Sequence, residues 1–355
     1  MRTEHVLIIR FSALGDVAMA VPVVSSLAKE YPHVRFTMLS RPGMRPLFEG
    51  LAPNVSFMEA DLKNEYHGVK GLNALYRRLT AKQFTAIADL HDVLRSEYLR
   101  LRFNMEMYKV AHIDKHRGGR RRLVASNEKK QLAQQPTVFQ NYADVFARLG
   151  YPVQIKFTSL FPPEGGDMSA IPETIEPKRG PWIGIAPFAA HAGKIYPRPL
   201  MEVVMAQLTE HRPGCRLFLF GGGSEEQAVF REWCAKFPQC ISVPDHVRGL
   251  RKELILMSHL DVMLSMDSAN VHLASLAATP VITIWGSTHP YAGFMGWAQD
   301  KGNNVQLDLR CRPCSIYGNR KCLRGDMACL KNIPPELIVA KTEAILRRKA
   351  STLPS

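Results

Sequence analysis

Twice along its length the chain repeats one rhythm, in which a short apolar run gives way to a turn and then to a longer amphipathic stretch. In the first block Val6–Ile9, Arg35–Leu39 and Ala86–Leu90 read as strands, with helices over Val17–Lys29 and Thr137–Leu149, the latter stopped by Gly150. In the second, Trp182–Ala186, Arg216–Phe220, Val262–Ser265 and Val281–Trp285 read as strands, with helices near Leu200–His211, Glu225–Phe237, Leu250–Ser258 and Ala269–Ala278. Strands that are apolar throughout and alternate with helices predict parallel sheets covered on both faces. Between the blocks, Phe161 to Pro181 is rich in proline, glycine and charge and reads as the linker. The expected fold is therefore α/β, with two Rossmann-like, doubly wound domains at residues 1–165 and 180–335 and a C-terminal helix and tail at 336–355. Sheets of this kind bind ligands outside the carboxyl ends of their strands, which places the sites of two facing domains in a shared cleft.

The totals agree. A chain of 355 residues, 46% hydrophobic, exceeds one ordinary core and fills two. No run of eighteen apolar residues occurs, and Met1-Arg-Thr-Glu-His5 leads into a strand without a small-residue cleavage site, so the expectation is a cytoplasmic protein that does not span a membrane. Seven scattered cysteines fit a reducing compartment better than a disulfide framework. Much of the net charge of +14 is local, with five formal positive charges packed into Lys115-His-Arg-Gly-Gly-Arg-Arg-Arg122, which reads as a mobile loop. Arg120, Arg121 and Arg122 would attract an anionic lipid surface, a phosphorylated acceptor or nucleic acid, or would simply be solvated.

The first strand, turn and helix would ordinarily bind a dinucleotide through three glycines. Here Gly15 stands alone and Asp16 follows it, a negative charge where phosphates would sit. Asp16 is either an acid favoured by the helix dipole or a carboxylate presented to a hydroxyl. A nicotinamide or flavin oxidoreductase is disfavoured for want of the glycine fingerprint.

Three strand ends of the second block converge on one kind of ligand, a phosphorylated nucleotide. Lys194 closes a loop of small residues and can reach a phosphate. Gly221-Gly-Gly-Ser-Glu-Glu226 lets a ligand approach the backbone, with Ser224 and Gln227 as a capping box and Glu225 or Glu226 available to ribose hydroxyls. Asp267 and the N-cap Ser268 precede a helix beginning Ala269-Asn270, whose free N–H groups suit a diphosphate, and His272 falls near its first turn. No Asp-x-Asp pair, a usual means of holding a divalent ion under a sugar diphosphate, occurs.

Arg10-Phe-Ser-Ala-Leu-Gly-Asp16, Ala88-Asp-Leu-His-Asp-Val-Leu-Arg-Ser96, the Lys194 loop, Gly221–Glu226, and Asp267–His272 through Trp285-Gly-Ser-Thr288 together resemble the ADP-heptose:lipopolysaccharide heptosyltransferases, glycosyltransferase family nine, of GT-B fold. The resemblance runs in order from Val6 to about Ile345, departing at Ala269 where glycine is frequent. It implies an inverting, metal-independent transfer of heptose from ADP-heptose to a hydroxyl of the lipopolysaccharide inner core. Asp16 would be the base, Lys194 would neutralise donor phosphate, Glu225 would bind ribose, and Asp267, Ser268, Ala269 and His272 would line the donor sugar and diphosphate. The implied partners are a nucleotide sugar, a phosphorylated lipid-linked acceptor met by Arg120–Arg122, and the inner face of the cytoplasmic membrane, without nucleic acid and without a cofactor. The alternatives are a transferase of this fold with another sugar or acceptor, and a basic nucleic-acid- or membrane-binding protein without catalysis. Cys311, Cys314, Cys322 and Cys329 could hold a structural zinc or remain four thiols.

Overall fold

The computed structural model describes residues 4–352. It divides into two compact units, one of residues 1–116 and 136–158 and the other of 117–135 and 159–355.

The first unit is built on five parallel strands, β1 (His5–Ile9), β2 (Arg35–Ser40), β3 (Val55–Glu59), β4 (Ala86–Asp89) and β5 (Lys109–His112), in the order β3-β2-β1-β4-β5. The central strand β1 is buried along its whole length, as an unbroken apolar run requires. Because β2 and β3 extend to one side of β1 and β4 and β5 to the other, the winding reverses between β1 and β4. The loops after Ile9 and Asp89 therefore flank this sheet's ligand-type crevice.

The helix expected over Val17–Lys29 begins earlier, at Leu14, and is broken into Leu14–Ala18 and Ala20–Glu30. Pro22 lacks the N–H that would bond back to Ala18, which accounts for the break. Asp16 is thus a residue of the first helical turn and not of a preceding loop. Four elements of this unit escaped the sequence pattern: β3, β5, and the helices Gly68–Thr80 and Leu94–Met105.

The second unit carries six parallel strands, β6 (Trp182–Ala186), β7 (Arg216–Leu219), β8 (Cys240–Ser242), β9 (Val262–Met266), β10 (Val281–Ile284) and β11 (Asn304–Val305), in the order β11-β10-β9-β6-β7-β8. Its winding reverses between β6 and β9, so the loops after Ala186 and Met266 define its crevice. The helix Pro335–Thr352 closes the same core through Ile338, Val339, Ile345 and Leu346.

Two expectations about chain organisation are corrected. The stretch read as a linker packs on the second unit, where Gly166 N–H donates to Ser258 Oγ at 2.9 Å and Gly166 O lies 2.7 Å from His259 Nε2. The basic segment read as a mobile loop of the first domain forms the helix Arg117–Leu123, and 117–135 sides with the second unit. The physical reason is Arg120, only 9% exposed, whose guanidinium lies 4.8 Å from the Phe294 ring centroid and donates to Tyr317 Oη at 3.3 Å. Arg121 and Arg122 remain exposed.

Candidate active site

At the first crevice, Asp16 Oδ2 is 2.6 Å from Arg10 Nη2, and the same oxygen accepts from Ala13 N–H at 3.2 Å. Arg10 is buried and fixed in turn, donating from Nη1 to Leu90 O at 2.7 Å. Tyr142 Oη donates to the Asp16 carbonyl at 3.1 Å. The carboxylate is therefore held from behind while about a quarter of the Asp16 side chain stays open to solvent. Such a group can accept a proton from a hydroxyl brought to its free side.

His91 lies against the turn that leads to Asp16. Its Nδ1 accepts from Phe11 N–H at 3.4 Å, and its Nε2 is 3.5 Å from Ser12 Oγ. Burial, and then the Arg10 and Lys115 charges, push its pKa down to about 3, so the ring is neutral near pH 7. Buried Asp89 shapes this loop by accepting from the backbone N–H groups of His91 and Asp92 at 2.9 and 3.0 Å, and Arg100 pairs with both carboxylates at 3.2 and 3.1 Å. No role had been read for Arg10, His91, Asp89 or Arg100 from sequence. The signal for three of them was present in the Arg10–Asp16 and Ala88–Ser96 runs, which hold Arg10, Asp89 and His91 without declaring what they touch, while Arg100 lies outside both.

At the second crevice, Lys194 Nζ is 3.0 Å from Asp267 Oδ2, and Thr288 Oγ1 donates to that oxygen at 2.9 Å. Both charged side chains are largely enclosed. Ser268 occupies the N-cap of the helix Ala269–Leu276, but its hydroxyl makes no capping bond, so the first N–H groups have no side-chain cap. Ser268, Ala269 and Asn270 are half-buried and His272 is buried within that helix. Together the loops after β6 and β9 assemble a cation, its counter-ion and an uncapped helix N-terminus. That combination attracts an anion.

The glycine-rich turn also departs from expectation. Gly223, with φ of +93°, is the N-cap of the helix Ser224–Lys236, and no side chain caps it; the box of Ser224 and Gln227 does not form. Glu226 Oε2 instead accepts from Gly222 N–H at 2.7 Å. A Cβ at Gly221 would meet that same oxygen at 2.5 Å and the Phe230 ring at 2.9 Å, so a side chain there would displace the Glu226 carboxylate or the ring. With Glu226 spent on the turn, Glu225 is the exposed acid of the pair.

Cys311, Cys314, Cys322 and Cys329 are free thiols, and among the described residues no group of three or more His, Cys, Asp or Glu side chains is arranged to hold a metal ion. What this segment does hold is the Trp285–Thr288 loop. Arg312, buried, donates to the carbonyls of Gly286, Trp285 and Thr288, and the N–H groups of Cys314 and Ser315 donate to Ser287 O at 3.0 and 3.2 Å. Thr288, the partner of Asp267, is thereby set by residues far along the chain.

Two parallel sheets, each with charged side chains at its switch point, are the architecture of the GT-B glycosyltransferases. The chain belongs to glycosyltransferase family 9 (heptosyltransferase), whose family model matches residues 72–322. It is similar to the lipopolysaccharide core heptosyltransferase OpsX of Haemophilus influenzae, 24% identical over 289 residues that make up 80% of this chain and 79% of that one. Among solved structures it is similar in fold to a glycosyltransferase of family 9 from Veillonella parvula (TM-score 0.73, 16% identity, 98% of each chain). It is likewise similar to E. coli ADP-heptose LPS heptosyltransferase II (TM-score 0.70, 16% identity, 98% of this chain and 99% of that one).

Proposed function

We propose that the protein transfers heptose from ADP-heptose to a hydroxyl of the lipopolysaccharide inner core, with inversion at the sugar. The observation that carries this reading is the Lys194–Asp267–Thr288 group beside the uncapped helix at Ala269, a ready site for a nucleotide diphosphate. The second unit binds the donor: diphosphate at Lys194 and the N–H groups of Ser268, Ala269 and Asn270, ribose at Glu225, and sugar near Asp267 and His272. The first unit supplies the base that meets the acceptor hydroxyl. Asp16 takes the proton of the acceptor hydroxyl as its oxygen bonds to the anomeric carbon and the bond from that carbon to the diphosphate oxygen breaks, its electron pair leaving with ADP. Lys194 and the helix dipole stabilise the charge growing on the leaving group, usually the largest single contribution in such a site. Arg10 keeps Asp16 aimed.

The acceptor is read as lipid-linked and phosphorylated, met at the cytoplasmic face of the inner membrane, with Arg121 and Arg122 drawing its phosphates. No helix among the described residues is long and apolar enough to cross a membrane.

The test is calorimetric titration with ADP followed by incubation with ADP-heptose and inner-core acceptor, read by mass spectrometry. Tight ADP binding and a gain of one heptosyl residue are expected. ADP binding with transfer only from another nucleotide sugar would reassign the donor, and DNA-duplex binding without ADP binding would replace the reading with a non-catalytic one.

A further inference from the structure

The helix Leu94–Met105 buries Leu99 and Phe103 against the first unit's core, as an amphipathic crossover helix should. On the opposite side it carries a second apolar stripe. At 3.6 residues per turn, Leu94, Leu101 and Met105 fall within about 40° of one another. Leu94 is 84% exposed, Leu101 59% and Met105 72%, and Met107, just past the helix end, is 91% exposed. Isolated exposed leucines need no explanation, but three large exposed apolar side chains in register along one helix, with a fourth just past its end, do.

The stripe has a basic border. Arg95 stands exposed on its own helix, and Lys70 and Arg77 stand exposed on the helix Gly68–Thr80. That helix lies alongside, since Tyr98 Oη and Arg102 Nη1 both donate to Asn73 Oδ1, at 2.6 and 2.7 Å, and Arg102 covers the Tyr76 ring at 4.5 Å. Exposed Val69, one turn before Asn73, extends the apolar surface. Of the acids nearby, Glu97 is turned to Arg100 at 3.9 Å, leaving Glu106 at the far end.

We infer that this face docks on the surface of an anionic phospholipid bilayer, with Leu94, Leu101, Met105 and Met107 entering the acyl boundary and Lys70, Arg77 and Arg95 meeting headgroup phosphates. An apolar stripe bordered by arginine and lysine is the pattern of helices that lie in a membrane interface. A second copy of the chain fits less well, because a two-fold interface would set the same cations against themselves. Placement agrees with the occupant. Leu94 is three residues from His91, which touches Ser12 in the turn before Asp16, so the stripe starts at the rim of the first crevice. This inference rests on the lipid-linked acceptor of the proposed function and adds the surface that brings the enzyme to it.

Co-sedimentation with phosphatidylcholine vesicles, with and without phosphatidylglycerol, tests it on the full chain. The wild type should partition onto the anionic vesicles. Replacing Leu94, Leu101 and Met105 together by serine, which leaves the charge unchanged, should lower that partition by about ten-fold or more, while ADP affinity and the thermal midpoint stay unchanged. Lys70→Gln with Arg77→Gln and Arg95→Gln should remove the preference for phosphatidylglycerol. Unchanged partition of the serine variant overturns the inference, as does a wild-type dimer in sedimentation equilibrium that the serine variant dissociates. Transfer assayed on a water-soluble acceptor fragment separates the two readings. Loss of vesicle binding in a protein that transfers no heptose keeps the docking surface and removes the heptosyl reading, whereas intact transfer with unaffected vesicle binding does the reverse.

Discussion

Lys194 and Asp267, 73 positions apart in sequence, meet at 3.0 Å where β6 and β9 end side by side, and the Thr288 hydroxyl closes on the same carboxylate oxygen. The pair fixes an ammonium group in a largely enclosed place where a flexible lysine would otherwise wander. Its two members are not equivalent. Removing the lysine leaves the enclosed Asp267 carboxylate without its cation, held by the Thr288 hydroxyl, and adds repulsion toward a diphosphate. Lys194→Met should therefore weaken ADP binding by about ten- to a hundred-fold, the range of one charged hydrogen bond, and also lower the melting temperature. Calorimetry and a thermal melt check the two effects, and ADP affinity within two-fold of wild type would take Lys194 out of the donor site.

Asp16→Asn preserves the shape that Arg10, Ala13 and Tyr142 enclose but removes the proton acceptor. Turnover should fall by about 10²- to 10⁴-fold while ADP affinity stays within a few-fold. Near-normal turnover in this variant would remove Asp16 from the chemistry and leave it as the counter-ion of Arg10.

The two glutamates of the glycine-rich turn should separate cleanly. Glu225→Ala should weaken adenosine diphosphate binding by about five- to ten-fold with no change in melting temperature, as loss of one ligand hydrogen bond does. Glu226→Ala should lower the melting temperature, because it frees the Gly222 N–H that now has a carboxylate partner. Equal effects of both substitutions on nucleotide affinity would contradict the division.

His91 gives a pH signature. Its folded pKa of about 3 lies below the ordinary 6.5, so between those values the unfolded chain binds the extra proton. Its contribution to stability is complete above about pH 6.5 and is lost as the pH falls toward 3. A His91→Gln variant should show a flatter decline of melting temperature from pH 6.5 to 4 than the wild type. Parallel curves would mean that the ring is not held neutral.

Arg120 and its two neighbours should part company. Arg120→Ala should cost about 1–2 kcal/mol of stability, since the guanidinium is packed on Phe294 and bonded to Tyr317. Arg121→Glu with Arg122→Glu should leave stability alone and raise the apparent KM for acceptor, most strongly at low salt. Acceptor kinetics that do not respond would leave these two arginines as solvated surface charge.

The strands at the centre of each sheet were legible because β1, β6 and β9 carry nearly unbroken apolar runs, broken only by His5 at the start of β1 and Ser265 in β9, a pattern that burial on both faces demands. The edges were not. β5 begins with Lys109 and ends with His112, and β3 alternates weakly, because an edge strand faces solvent and carries charge that discourages further pairing. The helix Leu94–Met105 was hidden by its own second stripe, which blurs the single apolar face on which helical periodicity depends. In the site, the charged members Asp16, Lys194 and Asp267 stood out at strand ends, yet their pairings did not. Arg10 with Asp16 and Thr288 with Asp267 are products of loop geometry, and Thr288 is positioned by Arg312 across a stretch that shows only cysteines to a reader of sequence. The basic run was misread for a similar reason: nothing local announces that Phe294, far downstream, will shelter Arg120.

The excursion of 117–135 makes the gene harder to divide than its two folds suggest. The chain leaves the first unit at His116, contributes a helix to the second, returns at Pro136 and departs for good after Thr158. A fragment starting at Ser159 would lack the helix whose Arg120 lies on Phe294 and Tyr317, and a chimera joined near that residue would dress one parent's second unit with the other's segment. Recombination between relatives should therefore respect three seams, with 117–135 travelling alongside the C-terminal half.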